Sequence, residues 1–448
     1  MTRYFGTDGV RGIANRELTP KMSFSLGQAA VSLLGPRLVI VKDTRRSGDM
    51  LEAALIAGIT SAGGDALVCG IVPTPAAALL TRELGANGAA VISASHNPAE
   101  YNGIKFFDKD GYKLTHDVED AFESFLHGDA ADDSTEPPCG SALGRVTHID
   151  DAAERYISHA TATIQSGNDG LAGLNVVVDC GHGASATTTP EALKRLGANV
   201  VVLNPTFNGD DINDDSGSTH PEQLARAVLE NGADVGIAHD GDADRTIAVD
   251  EAGNLVDGDM IEAICARDML DRGVLAHDTV VTTVMCNLGF TIAMRDLGIN
   301  VVQTPVGDSN VLQAMLDGGF IIGGEQSGHT IFLEHNSTGD GLITALQLLS
   351  VMARSEIPLS RLARVMRRYP QALVNVKVKD KQALDASLPV SRAIEDAQGK
   401  LDAAGAGRIL VRASGTEPLI RVMVEASDEA MAQQVAGDIA RVVESELG

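Results

Sequence analysis

The chain has 448 residues, of which 44% are hydrophobic and 21% are charged, a composition typical of a globular protein with a large buried core. Its length predicts about two to four domains, and no apolar run is long enough for a membrane-spanning helix. The net charge of −26 argues against nucleic acid or an anionic membrane as the main partner.

The N-terminal residues 1–6 lack the apolar segment of a secretory signal, so we expect the cytoplasm. The five cysteines are odd in number and include no CxxC pair, which predicts reduced thiols and no disulfide framework. An anionic ligand would have to be met by local positive charge. The candidates lie in or beside glycine-rich turns: Arg11, Lys42, Arg45, Arg46, Lys105, Arg245, Arg412 and Arg421.

A pattern of strand, helix, strand, helix and strand, followed by a polar loop, occurs three times along the chain. In the first copy, strands are predicted over 38–41, 66–68 and 90–92, with helices near 48–62 and 75–84. Short β-branched strands that alternate with helices predict a parallel sheet covered on both faces. The copy ends in a loop that contains Ser95.

Ser95 stands at the end of a strand predicted to be buried, and Asn97-Pro98 disfavours helix at that point. We therefore expect the hydroxyl to be presented at an exposed turn rather than packed. This makes Ser95 a candidate covalent nucleophile, with Lys105 as a nearby cation. Serine, asparagine and proline are also ordinary turn formers, so taken alone the segment favours a turn that caps the strand.

The second copy has strands predicted over 176–178, 200–203 and 235–237, with helices near 190–197 and 220–231. It ends in a loop where Asp240, Asp242 and Asp244 alternate. In extended backbone this alternation would put all three carboxylates on one side, where they repel unless a cation lies between them.

Oxygen ligands suit Mg²⁺ or Ca²⁺ better than Zn²⁺. The calcium-loop template fails because Arg245 stands at its glycine position. Three side-chain ligands leave room for phosphate or water, and Mg²⁺ usually keeps such ligands when a protein binds it. An acidic turn without a metal is the alternative.

The third copy has strands predicted over 280–284, 301–302 and 320–322, with helices near 288–297 and 308–317. It ends in a loop where Glu325, Ser327 and His329 alternate, and side chains of these types on one face would suit sugar hydroxyls. Ligands of open α/β sheets bind beyond the carboxyl ends of the strands, so the three loops are expected to converge on one cleft. Glycine-rich loops also close many such units without binding anything.

The segment 125–150 is predicted to be a linker or excursion, and another boundary falls near 368–370. Beyond it, alternating strands over 373–378, 408–411 and 421–425 and helices near 389–403 and 428–446 predict a smaller α+β domain with an antiparallel sheet. The loop 412–418 offers hydroxyls, backbone N–H groups and a guanidinium, as a phosphate cradle does. A plain hairpin is the alternative there.

These segments together resemble the α-D-phosphohexomutase family, from Phe5-Gly6-Thr7-Asp8-Gly9-Val10-Arg11-Gly12 to Arg412-Ala413-Ser414-Gly415-Thr416-Glu417-Pro418. The resemblance implies three similar α/β domains with mixed, largely parallel sheets plus a smaller C-terminal α+β domain, arranged around a central cleft. The implied bounds are 1–150, 151–252, 253–368 and 369–448. Two departures are visible: Lys42 replaces the usual arginine, and Ala243 replaces a common glycine, which is tolerable if its φ is negative.

The resemblance also implies a role for each candidate. Ser95 carries the transferable phosphate, and a phosphoserine oxygen joins Asp240, Asp242 and Asp244 around one Mg²⁺. Arg11 and Lys105 flank the reacting phosphoryl group, with His329 near the chemistry. The residues expected to bind the sugar and its non-reacting phosphate are Arg245, Glu325, Ser327, Arg412, Ser414, Gly415, Thr416 and Arg421.

Within the family the chain looks like the bacterial enzymes that act on glucosamine phosphates. The implied reaction interconverts glucosamine 6-phosphate and glucosamine 1-phosphate through a 1,6-bisphosphate, and feeds the synthesis of UDP-N-acetylglucosamine and cell-wall precursors. Glucosamine or glucose 1,6-bisphosphate would prime the serine, and the chain would be a monomer or homodimer. Phosphomannomutase or phosphoglucomutase activity, a Mg²⁺-dependent phosphatase and a silent phosphosugar-binding regulator are the alternatives.

Overall fold

The structure is a computed structural model that describes residues 3–6, 8–128, 136–164, 170–384, 386–403, 405, 407–414 and 418–448. The chain divides into two compact units. The first consists of Met1–Met285 and Gly298–Val365, and the second consists of Cys286–Leu297 and Met366–Gly448.

The first sheet has seven strands in the order β1-β2-β6-β5-β3-β4-β7. Its elements are β1 (Phe5–Gly6), β2 (Gly9–Ile13), α1 (Pro20–Leu33), β3 (Arg37–Lys42), α2 (Ser47–Ser61), β4 (Asp65–Ile71), α3 (Thr74–Glu83), β5 (Gly88–Ile92), β6 (Tyr101–Asp108), α4 (His116–His127) and β7 (Val146–His148). Strands β3, β4, β5 and β7 pair in parallel, whereas β6 is antiparallel to β5 and β2. The predicted linker is therefore wrong at its end, because β7 adds an edge strand to this sheet.

The second sheet has five strands in the order β12-β11-β10-β8-β9, with β9, β8 and β10 parallel. Its elements are α5 (Ala152–Ala162), β8 (Asn175–Asp179), α6 (Thr189–Arg195), β9 (Asn199–Leu203), α7 (Glu222–Asn231), β10 (Val235–His239), β11 (Thr246–Asp250) and β12 (Leu255–Val256). Strand β11 returns antiparallel to β10, so the acidic loop is the connection of a hairpin.

The third sheet has the order β14-β13-β15-β16. Its region contains α8 (Gly258–Asp271), β13 (Thr279–Thr283), α9 (Leu288–Leu297), β14 (Asn300–Thr304), α10 (Asp308–Gly318), β15 (Ile322–Gly324), β16 (Thr330–Phe332), α11 (Gly341–Ser355) and α12 (Leu359–Leu362), of which α9 belongs to the second unit. The third strand begins two residues later than predicted. Helix α10 ends at Gly318 and is followed by Gly319 in the left-handed conformation, and the chain needs two more residues to enter the sheet.

The second unit contains the predicted antiparallel sheet, with the order β17-β19-β18. Its sheet and helices consist of β17 (Gln371–Lys377), α13 (Leu388–Ala403), β18 (Gly407–Ala413), β19 (Leu419–Ala426) and α14 (Glu429–Leu447). Apolar side chains of β19 and α14, such as Ile420, Val422 and Ile439, form its core. Three mixed, largely parallel α/β sheets and a smaller α+β region are thus confirmed, while the four domain bounds and the central cleft stay predictions.

Among the described residues, no single helix is long and apolar enough to cross a membrane. One pair of helices, Gly341–Ser355 and Leu359–Val365, passes that test jointly by length and composition, but it is bent by 95°. Most residues of the first helix are buried in the protein.

Helices α1 and α2 approach each other at two glycines. A Cβ on Gly58 would lie 2.0 Å from the carbonyl oxygen of Phe24, and a Cβ on Gly27 would lie 2.4 Å from that of Leu55. By contrast, Gly399 is an exposed position in α13 where a Cβ would meet nothing within 4 Å.

We expect Gly58→Ala to destabilise the protein by about 1–3 kcal/mol or more, because the added methyl group forces α1 and α2 apart. Gly399→Ala should stabilise by about 0.5–1 kcal/mol through helix propensity alone. Thermal unfolding of both variants checks this. Shifts of the same sign would contradict the proposed packing of the two helices.

Candidate active site

Three carboxylates lie together after β10. One ligand oxygen from each of Asp240, Asp242 and Asp244 lies within 4.8 Å of the others, and all three side chains are buried. A turn brings them together, so the predicted extended alternation is wrong. Ala243 within it has φ 56°, the left-handed region that favours glycine, so the negative φ that would make alanine tolerable there is not adopted. The turn is needed because an extended chain would spread the carboxylates over a longer distance.

Each aspartate uses part of its carboxylate for protein contacts. Asp242 Oδ2 accepts hydrogen bonds from Lys105 Nζ at 2.9 Å and from Thr74 Oγ1 at 2.5 Å. The buried Oδ1 atoms of Asp242 and Asp244 have no hydrogen-bond partner. Burial, then repulsion from Asp244 and Asp242, raises the pKa of Asp240 well above its usual range. A hard divalent cation fits this donor set, because it would take up the unpaired oxygens and relieve the repulsion.

Ser95 lies directly against this acidic cluster. Its Oγ donates to Asp240 Oδ2 at 2.6 Å, and its backbone has φ 52°. The residue is only 1% exposed, so the expected exposed turn is wrong: the acidic loop covers the hydroxyl. Ser95 is therefore presented to the carboxylates and not to solvent.

Lys105 reaches the cluster from the first sheet, and Arg11 is linked to it through Asp8. Lys105 Nζ lies 2.9 Å from Asp242 Oδ2 and 3.6 Å from Asp244 Oδ2. Burial opposes its charge, but Asp242, Asp8 and Asp244 raise the pKa of Lys105 above its usual range. Arg11 on β2 forms an ion pair with Asp8, which is itself 3.5 Å from Lys105 Nζ. Both predicted cations are thus present, joined by Asp8.

His329 connects the third loop to the same cluster. Its Nδ1 lies 3.6 Å from Asp244 Oδ2, and its Nε2 lies 3.5 Å from Asp308 Oδ2. Although burial lowers the pKa of His329, Asp244 and Asp308 outweigh it and raise the pKa above the usual value. The loops after β5, β10 and β15 therefore converge, as the sequence predicted.

Glu325 and Ser327 do not share an extended face with His329, so that prediction is wrong. They lie in the turn of the β15–β16 hairpin, where Gly328 has φ 95° and a Cβ on it would lie 2.3 Å from the carbonyl oxygen of Thr246. Ser327 is exposed, Glu325 is half-buried and His329 is buried. Glu325 Oε1 accepts from the backbone N–H of Gly307 at 3.3 Å.

Arg245 and His96 border the serine. Arg245 Nη1 lies 3.1 Å from His96 Nδ1, and its Nε lies 3.9 Å from both Asp240 Oδ2 and Asp244 Oδ1. Burial, then the charges of Arg245 and Arg11, lowers the pKa of His96 to about 4. The imidazole is therefore neutral at pH 7 and accepts from Arg245.

Three of the candidate cations bind other groups of the protein and not the acidic cluster. Lys42 binds Asp49 and Glu52, and Arg46 binds Asp210. Arg45 binds Asp43 and a set of backbone carbonyls. Each position has a carboxylate or a carbonyl-rich turn as its nearest neighbour, which the single sequence does not reveal.

The second unit contains the predicted phosphate-binding loop. Arg412 and Arg421 are directly paired across β18 and β19, and burial followed by repulsion from Arg421 lowers the pKa of Arg412. The carbonyl of the buried Ser414 accepts from Lys381 Nζ at 2.6 Å. Gly415 and Thr416 lie outside the described residues. The adjacent cations favour an anion at this position.

Sequence reasoning missed several charged or polar neighbours of the cluster. Lys113 binds Asp8 Oδ1 at 2.7 Å and also Asp308, so it joins the first and third sheets. Asp8 stands within residues 5–12, one of the segments that carry the family resemblance, so this segment already pointed to it. Lys113, Asp308 and Thr74 follow no motif, and only the fold brings them to the cluster. Lys381, which contacts Ser414 within the second unit, follows no motif either.

Four family models match almost the whole chain. Phosphoglucomutase/phosphomannomutase alpha/beta/alpha domains I, II and III match residues 2–132, 154–253 and 257–369, and the C-terminal domain of the same family matches residues 373–442.

Individual proteins agree with these matches. The phosphoglucosamine mutase of Symbiobacterium thermophilum is 53% identical over 454 residues and is covered completely, as is this chain. A phosphoglucomutase/phosphomannomutase family protein of Burkholderia thailandensis has a similar structure, with a TM-score of 0.80, 24% identity and coverage of 99% of this chain and 98% of that one. The structure of N-acetylphosphoglucosamine mutase of Aspergillus fumigatus, solved with GlcNAc-6P and magnesium, is similar with a TM-score of 0.71 and 18% identity. The match covers 99% of this chain and 95% of that one.

The site and the comparisons thus lead to the same assignment. The acidic triad, the serine and the flanking cations lie in the segments that carried the resemblance, and the four matches follow the order of the sheets along the chain. The chain therefore belongs to the phosphoglucomutase/phosphomannomutase family.

Proposed function

We propose that this chain interconverts glucosamine 6-phosphate and glucosamine 1-phosphate through a phosphorylated Ser95 and a 1,6-bisphosphate intermediate. The contact that carries the proposal is the 2.6 Å hydrogen bond from Ser95 Oγ to Asp240 within a buried acidic cluster flanked by Lys105. The high identity to the phosphoglucosamine mutase of Symbiobacterium thermophilum supports glucosamine phosphates as the substrates.

The chemistry requires a phosphoryl group to move twice. In the first transfer, a sugar hydroxyl oxygen bonds to phosphorus as the bond from phosphorus to Ser95 Oγ breaks, and the hydroxyl proton ends on Ser95 Oγ. The bisphosphate then turns over, and Ser95 Oγ takes the other phosphoryl group while its proton returns to the sugar oxygen. Each half-reaction is proton-neutral, and the burial of Ser95 supports exclusion of water that would otherwise hydrolyse the phosphoserine.

The chain's own residues supply positioning and charge. Asp240, Asp242 and Asp244 would hold one Mg²⁺, which when bound would offset negative charge on the phosphoryl oxygens. Lys105 and Arg11 are proposed to stabilise the same oxygens, and His329, which lies 3.6 Å from Asp244, is proposed as a further donor from the third sheet.

Substrate recognition is assigned to two groups of residues. Glu325, Ser327 and Arg245 are proposed to bind the sugar hydroxyls or the reacting end. The proposed distal phosphate ligands are Arg412, Ser414, Gly415, Thr416 and Arg421. The direct pairing of Arg412 with Arg421 supports the second group.

We further propose glucosamine or glucose 1,6-bisphosphate as the priming activator, because a fresh chain carries no phosphate on Ser95. The five cysteines are all free, which supports the cytoplasm as the compartment. The acidic net charge argues against nucleic acid or membrane as a partner, whereas the local cations Lys105, Arg412 and Arg421 support a phosphosugar. The chain is proposed to act as a monomer or homodimer.

Ser95→Ala should abolish mutase turnover, with a loss of several orders of magnitude, because it removes the phosphate carrier. Incubation with glucose 1,6-bisphosphate should add about 80 Da to the wild type and to the exposed control Ser158→Ala, but not to Ser95→Ala. More than a few per cent of residual turnover would contradict the assignment.

Asp242→Asn should weaken Mg²⁺ binding and turnover together, since it removes one charge and one hard ligand from the cluster. Calorimetric titration with Mg²⁺ and a coupled assay check this, with the exposed Asp271→Asn as the matched control. Full activity in EDTA and in Asp242→Asn would show that the cluster does not serve as a metal site.

Arg412→Ala should lower kcat/KM by about 10- to 150-fold, because a charge-assisted contact to the distal phosphate contributes about 1.5–3 kcal/mol. KM should rise strongly, and kcat can fall because remote binding supports closure. The exposed Arg392→Ala is the control variant. Equal losses with glucosamine, which has no distal phosphate, would assign Arg412 to the fold or to the reacting phosphate instead.

A further inference from the structure

We infer that Arg45 and Asn213 are positioning residues that hold Ser95 in the conformation from which its hydroxyl meets the acidic cluster. The inference rests on the proposed function, because it gives them a part in phosphoryl transfer through Ser95. Both residues are buried, and both bind the backbone carbonyl of Ser95.

Ser95 needs such support because its backbone is in the left-handed region, with φ 52°, which residues with a side chain rarely adopt. The structure fixes each of its polar atoms. The N–H donates to Ser93 Oγ at 2.9 Å, the Oγ donates to Asp240 at 2.6 Å, and the carbonyl accepts from Arg45 and Asn213. The direction of the Oγ therefore depends on what holds the backbone.

Arg45 holds the loop with its whole guanidinium group. Its Nε donates to Asp43 Oδ2 at 2.9 Å, and its Nη2 donates to the carbonyls of Ser95 at 2.8 Å and Asn97 at 2.7 Å. Its Nη1 donates to the carbonyls of Pro98 and Tyr101. All five N–H groups are thus used, and the side chain is 0% exposed. Lysine has no such fork and would leave several of these carbonyls unpaired.

Asn213 reaches the same carbonyl from the second sheet. Its Nδ2 lies 2.9 Å from the carbonyl oxygen of Ser95 and 3.3 Å from that of Asn97. It belongs to the loop after β9, and its own φ of 60° is one that asparagine tolerates. Since the second sheet also carries Asp240, Asn213 ties the serine and its carboxylate partner to one framework.

Two neighbouring contacts join the same segments without touching Ser95. The backbone N–H of Arg46 donates to the carbonyl of Gly209 at 3.0 Å, and the exposed side chains of Arg46 and Asp210 form an ion pair. Among the described residues, neither Arg45 nor Asn213 is hydrogen-bonded to the three aspartates of the cluster. Their loss should therefore change the position of Ser95 while leaving cation and substrate binding nearly intact.

The test compares Asn213→Ala and Arg45→Ala with the matched controls Asp210→Ala and Arg46→Ala. Each protein is loaded with glucose 1,6-bisphosphate, and loading is verified by intact mass. Loss of the protein-bound phosphate to glucosamine 6-phosphate is then followed in a single turnover. We expect about 10- to 100-fold slower transfer in both test variants, with KM within about threefold of the wild type, because small displacements of a reacting group are costly. The controls should transfer at the wild-type rate.

Transfer by Asn213→Ala at the rate of Asp210→Ala, or a defect confined to KM, would overturn the inference. If Arg45→Ala fails to fold in a thermal scan, Asn213→Ala decides the question, since it removes only two hydrogen bonds. A wild-type protein that never loads phosphate contradicts the proposed function instead, so the two failures are told apart.

Discussion

Three carboxylates buried within 4.8 Å of one another are the constraint on which the rest of this site depends. At that separation each like-charged pair costs on the order of 3 kcal/mol for an effective dielectric constant of about 20. Lys105 offsets part of that repulsion from the first sheet, and Ser95 and Thr74 donate hydrogen bonds to individual oxygens. The two unpaired Oδ1 atoms remain, and they explain why this arrangement calls for a divalent cation.

The requirement for balanced charge extends outward from the cluster. Asp244 is paired with His329, His329 lies near Asp308, and Asp308 binds Lys113, which also binds Asp8. Charges of opposite sign thus alternate along a path through parts of the chain that are far apart in sequence. Each ionisable side chain on this path has a neighbour that can carry the opposite charge, which offsets the cost of burying it.

Much of the fold and the chemical identity of the site could be predicted from the sequence. Periodicity located most strands and helices, and Ser95, Lys105 and the aspartates stood in loops that the fold brings together. The geometry of those loops could not be predicted, because alternation in the sequence does not distinguish a strand from a tight turn. Ala243 and Ser95 adopt left-handed backbone conformations that neither residue type signals, and the partners of Arg45 are backbone carbonyls with no signature of their own.

The central claim is that Ser95 exchanges a phosphoryl group with a sugar phosphate and not with water. The most direct measurement combines the phosphorylated protein with one equivalent of glucosamine 6-phosphate and follows both by ³¹P NMR. We expect the phosphoserine signal to disappear as a bisphosphate forms in equal amount, with little inorganic phosphate. Release of inorganic phosphate without bisphosphate would contradict it, because the buried serine would then be the site of a phosphatase.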